Sequence, residues 1–174
     1  KRSLWTYDVN KKIFLKKIYG DKEADLSGVF YHYDFFNYPD QMIGVRTSKS
    51  KPKRIYLSSE LASSAKITQE QIEKVIPNSY TTYISALSKD LNSMVIYNTG
   101  PKDPGSYYLL KNGKISFIGS KRPSFKAKDL ADVKYLKYTS RDGRIIPAYV
   151  TIPKGKGPYP LIVMPHGGPF VSET

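Results

Sequence analysis

The sequence predicts a mainly β protein. Antiparallel strands in blade-sized groups run to about Ser120, followed by the first strands of a second, α/β-type domain. Three observations carry this reading. Short runs rich in β-branched and aromatic residues recur in pairs, each pair flanking a cluster of turn-forming residues. One segment alone carries helix punctuation. After Ser120 the pattern changes and ends in a continuous apolar run followed directly by glycines.

The elements follow in order. Residues 3–7 and 13–15 flank Asp8-Val9-Asn10-Lys11 and form a first hairpin. Residues 29–36 make an aromatic-rich strand closed by Asn37, Pro39 and Asp40. Residues 42–47 and 54–57 flank a Lys/Ser/Pro loop, a second hairpin, and residues 82–87 and 93–98 form a third. Residues 107–110 and 115–118 flank Asn112-Gly113, a dipeptide that takes the two positive φ angles of a type I′ turn. Between these strands Thr68 and Gln71 fit a capping box, with Ile67 and Ile72 as its hydrophobic staple. Pro77 ends that helix. At about two turns it is too short to stand alone in water, so it packs on the strands.

Residues 81–119 thus read as four antiparallel strands, the size of one propeller blade. Residues 1–19 would be the outer half of an earlier blade and residues 28–58 most of another. The repeat lies in element pattern rather than residue identity. A sandwich gives similar strand spacing, and an antiparallel sheet outside any propeller fits as well. Residues 123–132 are polar and lack alternation, which marks a linker. Residues 133–139 and 145–152 flank Arg141-Asp142-Gly143-Arg144 as a further hairpin, and residues 153–160 are rich in proline and glycine. Leu161-Ile162-Val163-Met164 reads as a strand buried on both faces. A parallel strand needs a crossover and a partner. The chain is therefore expected to be cut inside its second domain: 1–122 the C-terminal part of a propeller, 123–132 a linker, 133–174 an incomplete second domain.

Composition narrows the chemistry. On the usual apolar count, with glycine and without tyrosine, the share is about 38%, below the ordinary 45–50%, a thin core for 174 residues. The absence of cysteine excludes a disulfide framework, a thiolate zinc site and a cysteine nucleophile. No run of about 18 apolar residues occurs, so no helical membrane span is expected. Asp21, Glu23 and Asp25 lack calcium-loop spacing and read as a solvated acidic turn. With His32 and His166 as the two histidines, no metal site and no cofactor are implied. The chain starts at Lys1 without a signal-peptide pattern, which leaves its compartment, cytoplasmic or periplasmic, unassigned.

The formal charge of +13 raises nucleic-acid binding. The lysines, however, are scattered in small clusters at strand ends and turns, and no nucleic-acid motif occurs. A solvated basic surface is the expected reading, and a basic nucleic-acid-binding β domain is the less favoured rival.

No G-x-S-x-G elbow occurs. Two S-x-x-K matches, Ser48/Lys51 and Ser50/Lys53, sit in a Lys/Ser-rich hairpin loop, whereas that chemistry needs a fixed helical or buried context. His166-Gly167-Gly168-Pro169 is different. Glycines directly after a buried strand let the backbone approach a ligand and turn its amides outward, although a plain strand-to-loop turn has the same form.

These residues carry a family resemblance. Residues 132–143 with their Arg-Asp-Gly turn, residues 146–153 (IPAYVTIP) and residues 160–169 (PLIVMPHGGP) closely resemble the prolyl oligopeptidase family of serine peptidases. The branch is that of acylaminoacyl peptidases and related bacterial dipeptidyl and oligopeptidases. Residues 103–109 and Arg122-Pro123 resemble the last propeller blade of that branch, and the likeness weakens before about Tyr80. The resemblance implies a β-propeller capping an α/β-hydrolase domain that cleaves short or N-acylated peptides through an acyl-enzyme on serine. It implies a triad beyond residue 174, so no catalytic residue falls in this chain. It carries over an oxyanion-hole segment, His166, Gly167 and Gly168, in which the amides around the glycines are the donors and His166 is a pocket residue rather than the triad base. The open blade faces predict self-association. A non-catalytic binding propeller with a degenerate hydrolase domain is the alternative.

Overall fold

The computed structural model describes residues 2–22, 24–48, 50–165 and 167–168. The fold is mainly β, with antiparallel sheets and a single long helix among the described residues. The chain divides near Glu70 into two compact units.

In the first unit, β1 (Leu4–Asp8) and β2 (Ile13–Tyr19) pair as the expected hairpin. Asp8 Oδ1 accepts the Lys11 amide at 2.9 Å and closes the turn. The rings of Trp5 and Tyr7 meet Phe14 edge-on at 6.2 and 5.1 Å. Next, β3 (Asp25–Tyr31), β4 (Met42–Ser48) and β5 (Pro52–Tyr56) form a sheet in the order β3-β4-β5. Pro52 opens an edge strand, where its missing N–H removes no central ladder bond. Gly44 has no Cβ because Phe30 and Tyr56 meet over it, edge to face at 5.1 Å; a Cβ there would lie 2.3 Å from the Phe30 ring.

The expected aromatic strand over 29–36 ends early, at Tyr31. Asp34 is the reason. Its carboxylate accepts the Asn37 backbone amide at 3.1 Å and the Asn37 side-chain amide at 2.9 Å, and its carbonyl accepts the Tyr38 amide at 3.0 Å. These local bonds compete with the sheet ladder and turn Phe35 and Phe36 out to solvent.

The helix also differs from expectation. Helix α1 spans Glu60–Val75, four turns rather than two. Its N-cap is Ser59, whose Oγ accepts the Ala62 amide at 3.1 Å. Thr68 lies mid-helix, where its hydroxyl donates to the Ser64 carbonyl and accepts from the Tyr33 hydroxyl, both at 3.3 Å. Ile67 is exposed and staples nothing. The buried stripe runs through Ala62, Ala65, Ile72 and Ile76 at helical spacing. Its first half is alanine, an apolar signal too small to stand out among serines.

In the second unit, β6 (Thr81–Leu87), β7 (Ser93–Gly100), β8 (Asp103–Lys111) and β9 (Lys114–Ser120) form a four-stranded meander in sequence order. Asn112 and Gly113 take φ angles of 49° and 73°, the type I′ turn read from the dipeptide. Tyr83, Tyr97 and Tyr107 are cross-strand partners on one face, with ring centroids 5.3 and 4.8 Å apart. On the other face Ile84, Ile96 and Tyr108 pack with Ile72 and Ile76 of α1. After a 3-10 turn at Ala127–Asp129, β10 (Val133–Thr139) and β11 (Ile145–Thr151) pair in unbroken register. Gly143 takes φ 80° at the tip of that hairpin.

The strand expected at 161–164 does not form. Leu161, Ile162, Val163 and Met164 are 73–86% exposed and no described strand pairs with them. A doubly buried strand exists only between hydrogen-bonding neighbours and covering layers.

Replacing Ser59 by alanine should lower stability by about 1 kcal/mol through the lost cap, measured by urea denaturation. Thr68→Ala, which would remove the cap if the helix began there, should cost clearly less, because its amide-satisfying role does not exist.

Candidate functional site

The oxyanion candidate lies at the end of a stretch without regular structure. Gly167 and Gly168 are exposed, and a Cβ at Gly167 would meet nothing within 4 Å. His166 lies outside the described residues. The S-x-x-K pairs both fall on the β4–β5 hairpin: Ser48 ends β4 opposite Pro52, and Ser50 and Lys51 are exposed in its bend. No cluster of three His, Cys, Asp or Glu residues able to hold a metal occurs among the described residues.

An open groove of about 830 Å³ runs between β5 and α1, lined by Lys53, Arg54, Tyr56, Ser63, Lys66 and Glu70 among others. Glu70 is engaged by Lys66 at 3.7 Å, one helical turn away. The lining holds no histidine, so it offers no side chain poised to move a proton near neutral pH.

Two buried polar clusters were not singled out by motif. The first crosses β6, β7 and β8. Asn98, fully buried, accepts from the Thr82 hydroxyl at 2.7 Å and from the Tyr80 amide at 3.1 Å. Its Nδ2 donates to Asp103 Oδ2 at 2.7 Å and to the Asn78 carbonyl at 3.3 Å. The other carboxylate oxygen of Asp103 accepts the Gly105 amide at 3.0 Å and the Ser106 hydroxyl at 2.7 Å. Every buried side-chain oxygen and nitrogen among the described residues has a partner. Asp103 is thus committed to holding the β7–β8 turn and is not poised to act on a substrate.

The second cluster surrounds His32, which is 5% exposed. Its ring stacks on Tyr33 at 4.4 Å and meets Tyr38 edge-on at 4.8 Å. Nδ1 accepts the Asp34 amide at 3.1 Å, so the proton of the neutral ring belongs on Nε2. Burial pushes the imidazole below its ordinary value, against the pull of the nearby Asp34. The Asn37 side chain holds the Asp34 carboxylate below the usual range. A solitary buried histidine next to a turn-forming aspartate leaves no spacing signal in the sequence that separates it from a core residue.

With this geometry in view, one relative is informative. Dipeptidyl aminopeptidase BIII of Pseudoxanthomonas mexicana is 23% identical over 116 residues, which cover 60% of this chain and 16% of that protein. The chain therefore spans about a sixth of the length of the curated relative it matches. No family model matches the sequence.

Two outcomes follow for the clusters. Asn98→Ala strips a donor from buried Asp103 and an acceptor from Thr82 and Tyr80, and should cost on the order of 2–4 kcal/mol in denaturant unfolding. His32 titrates lower when folded than its ordinary 6.5, so its contribution is complete above that value and is lost as pH falls below it toward the folded value. The denaturation midpoint should fall on acidification below pH 6.5, and His32→Gln should flatten that dependence.

Proposed function

We propose that this chain is part of a serine-type peptidase of the prolyl oligopeptidase family, acting on short or N-acylated peptides through an acyl-enzyme. The observation that carries the reading is the ordered run from the Arg-Asp-Gly hairpin to the Pro-His-Gly-Gly-Pro segment. The β10–β11 hairpin supports it, with Gly143 at its tip and Ile146-Pro147-Ala148-Tyr149 in β11. The distant likeness to a dipeptidyl aminopeptidase supports a peptidase reading. On this reading the four-stranded meander β6–β9 is a propeller blade, residues 133–174 begin an α/β-hydrolase domain, and the triad is supplied from outside these residues.

The role of the chain's own atoms is then confined to transition-state charge. Acyl transfer to serine places negative charge on the former carbonyl oxygen, and preorganised backbone amides stabilise it. The Gly167 and Gly168 amides would serve there once the hydrolase sheet forms around 161–164, with His166 lining the pocket. Peptide substrate is the partner of the whole protein; neither nucleic acid nor membrane is assigned a part. The exposed apolar run Leu161–Met164 and the aromatic face of the β1–β2 hairpin favour self-association of the isolated chain, which sedimentation at rising concentration should reveal.

The deciding test is labelling with a fluorophosphonate. The isolated 174-residue chain should remain unlabelled, since it holds no G-x-S-x-G elbow. The whole protein should label at a serine in such an elbow, and Gly167→Pro or Gly168→Pro, each removing one amide, should lower its kcat by about 10²–10³-fold. A whole protein that binds peptides but never labels would make it a non-catalytic binding protein instead.

A further inference from the structure

The turn joining β8 to β9 carries chemistry that the peptidase reading does not use. Asn112 and Gly113 are both exposed at the tip of the hairpin, on the side of the edge strand β9. Among the described residues the Asn112 carboxamide has no hydrogen-bond partner, whereas those of Asn37, Asn92 and Asn98 are held by Asp34, Asp90 and Asp103. Gly113 leaves its amide unshielded, with nothing within 4 Å of where a side chain would be. The pair closing the turn is Lys111 opposite Lys114, two like charges at the last rung of the ladder. Such a pair of like charges weakens the rung. It also favours negative charge on the amide between them.

We propose that Asn112 is a spontaneous modification site, its carboxamide being displaced by the Gly113 backbone nitrogen in the folded chain. The Gly113 nitrogen, deprotonated by solvent base, attacks Asn112 Cγ. The N–Cγ bond forms, the Cγ–Nδ2 bond breaks, and ammonia leaves with a proton from water, closing a five-membered imide. Water then adds to one imide carbonyl. Opening at Cγ gives aspartate, and opening at the main-chain carbonyl gives isoaspartate; one water is consumed and one ammonia released. No oxidant or cofactor takes part. Either product sets a carboxylate between Lys111 and Lys114. Isoaspartate also lengthens the main chain by one carbon, which a type I′ turn with successive φ angles of 49° and 73° does not accommodate. The isoaspartate product would therefore loosen β9, the outermost strand of the meander.

The experiment is to hold the folded 174-residue chain in mildly alkaline buffer, digest it, and quantify asparagine, aspartate and isoaspartate at each position by mass spectrometry. Asn112 should convert first, with isoaspartate exceeding aspartate, ahead of Asn10 and Asn92, which are also exposed. Lys111→Ser with Lys114→Ser should slow it, and Asn112→Gln should abolish it. Conversion that is no faster than at Asn10 or Asn92, or that occurs only in denaturant, would overturn the proposal.

Discussion

An antiparallel sheet of three or four strands is stable when one of its faces is removed from water, and in this chain the apolar stripe of α1 does that. In the first unit Ala62 and Ala65 close on Phe30 and Ile43, with Tyr33, Tyr56 and Leu61 at the margin. In the second, Ile72 and Ile76 close on Ile96, with Ile84, Tyr108, Leu110 and Ile115 around it. The two halves of the stripe differ in size for a physical reason. Phe30 and Tyr56 meet edge to face beside Gly44, and the helix meets this packed face through Ala62 and Ala65, with Leu61 at the margin. Against the β6–β9 meander it packs with the larger Ile72 and Ile76. The modest apolar content of the chain is spent in these two small cores, and most of its other large apolar side chains remain in contact with solvent.

Polar side chains do the work that the thin cores leave undone. The Asn98–Asp103 network pins the β6, β7 and β8 backbones at one end of the meander through bonds of 2.7 Å. The His32–Asp34–Asn37 cluster does the same for the β3–β4 connection. Both read at first sight like chemistry, a buried carboxylate and a buried imidazole. Their partners argue otherwise: both Asp103 oxygens are filled, by Asn98, the Gly105 amide and the Ser106 hydroxyl, and His32 has Nδ1 taken by the Asp34 amide and its ring packed on Tyr33 and Tyr38. Gly167 and Gly168, in the segment that resembles an oxyanion-hole element, are by contrast exposed.

That contrast separates two kinds of functional residue. An oxyanion-hole amide works only when aimed in advance at developing charge in a dry site. Its chemistry is written in the residue order, but its geometry belongs to the sheet around it. Residues 161–164 have the composition of a doubly buried strand and lack the neighbours that would make them one. The proposed peptidase role therefore rests on residue order and on the distant relative, while the fold contributes the blade-sized meander and the hairpin that precedes the segment.

The sequence by itself determined the elements whose information is local. The hairpins at 8–11, 112–113 and 141–144 follow from turn residues with positive φ or side chains that bond their own backbone, and the structure keeps each of them. Mainly β character follows from the alternation between them. Tertiary structure decided what depends on distant partners. The helix is capped at Ser59 rather than at Thr68, nine residues later, because Ala62 and Ala65 pack on Phe30 and Ile43, contacts made with strands distant in the sequence. Strand β3 stops at Tyr31 because Asp34 finds Asn37 and His32, a competition that alternation cannot register. Whether 161–164 becomes a strand is likewise undecided by its own residues, since burial is a property of what packs against them.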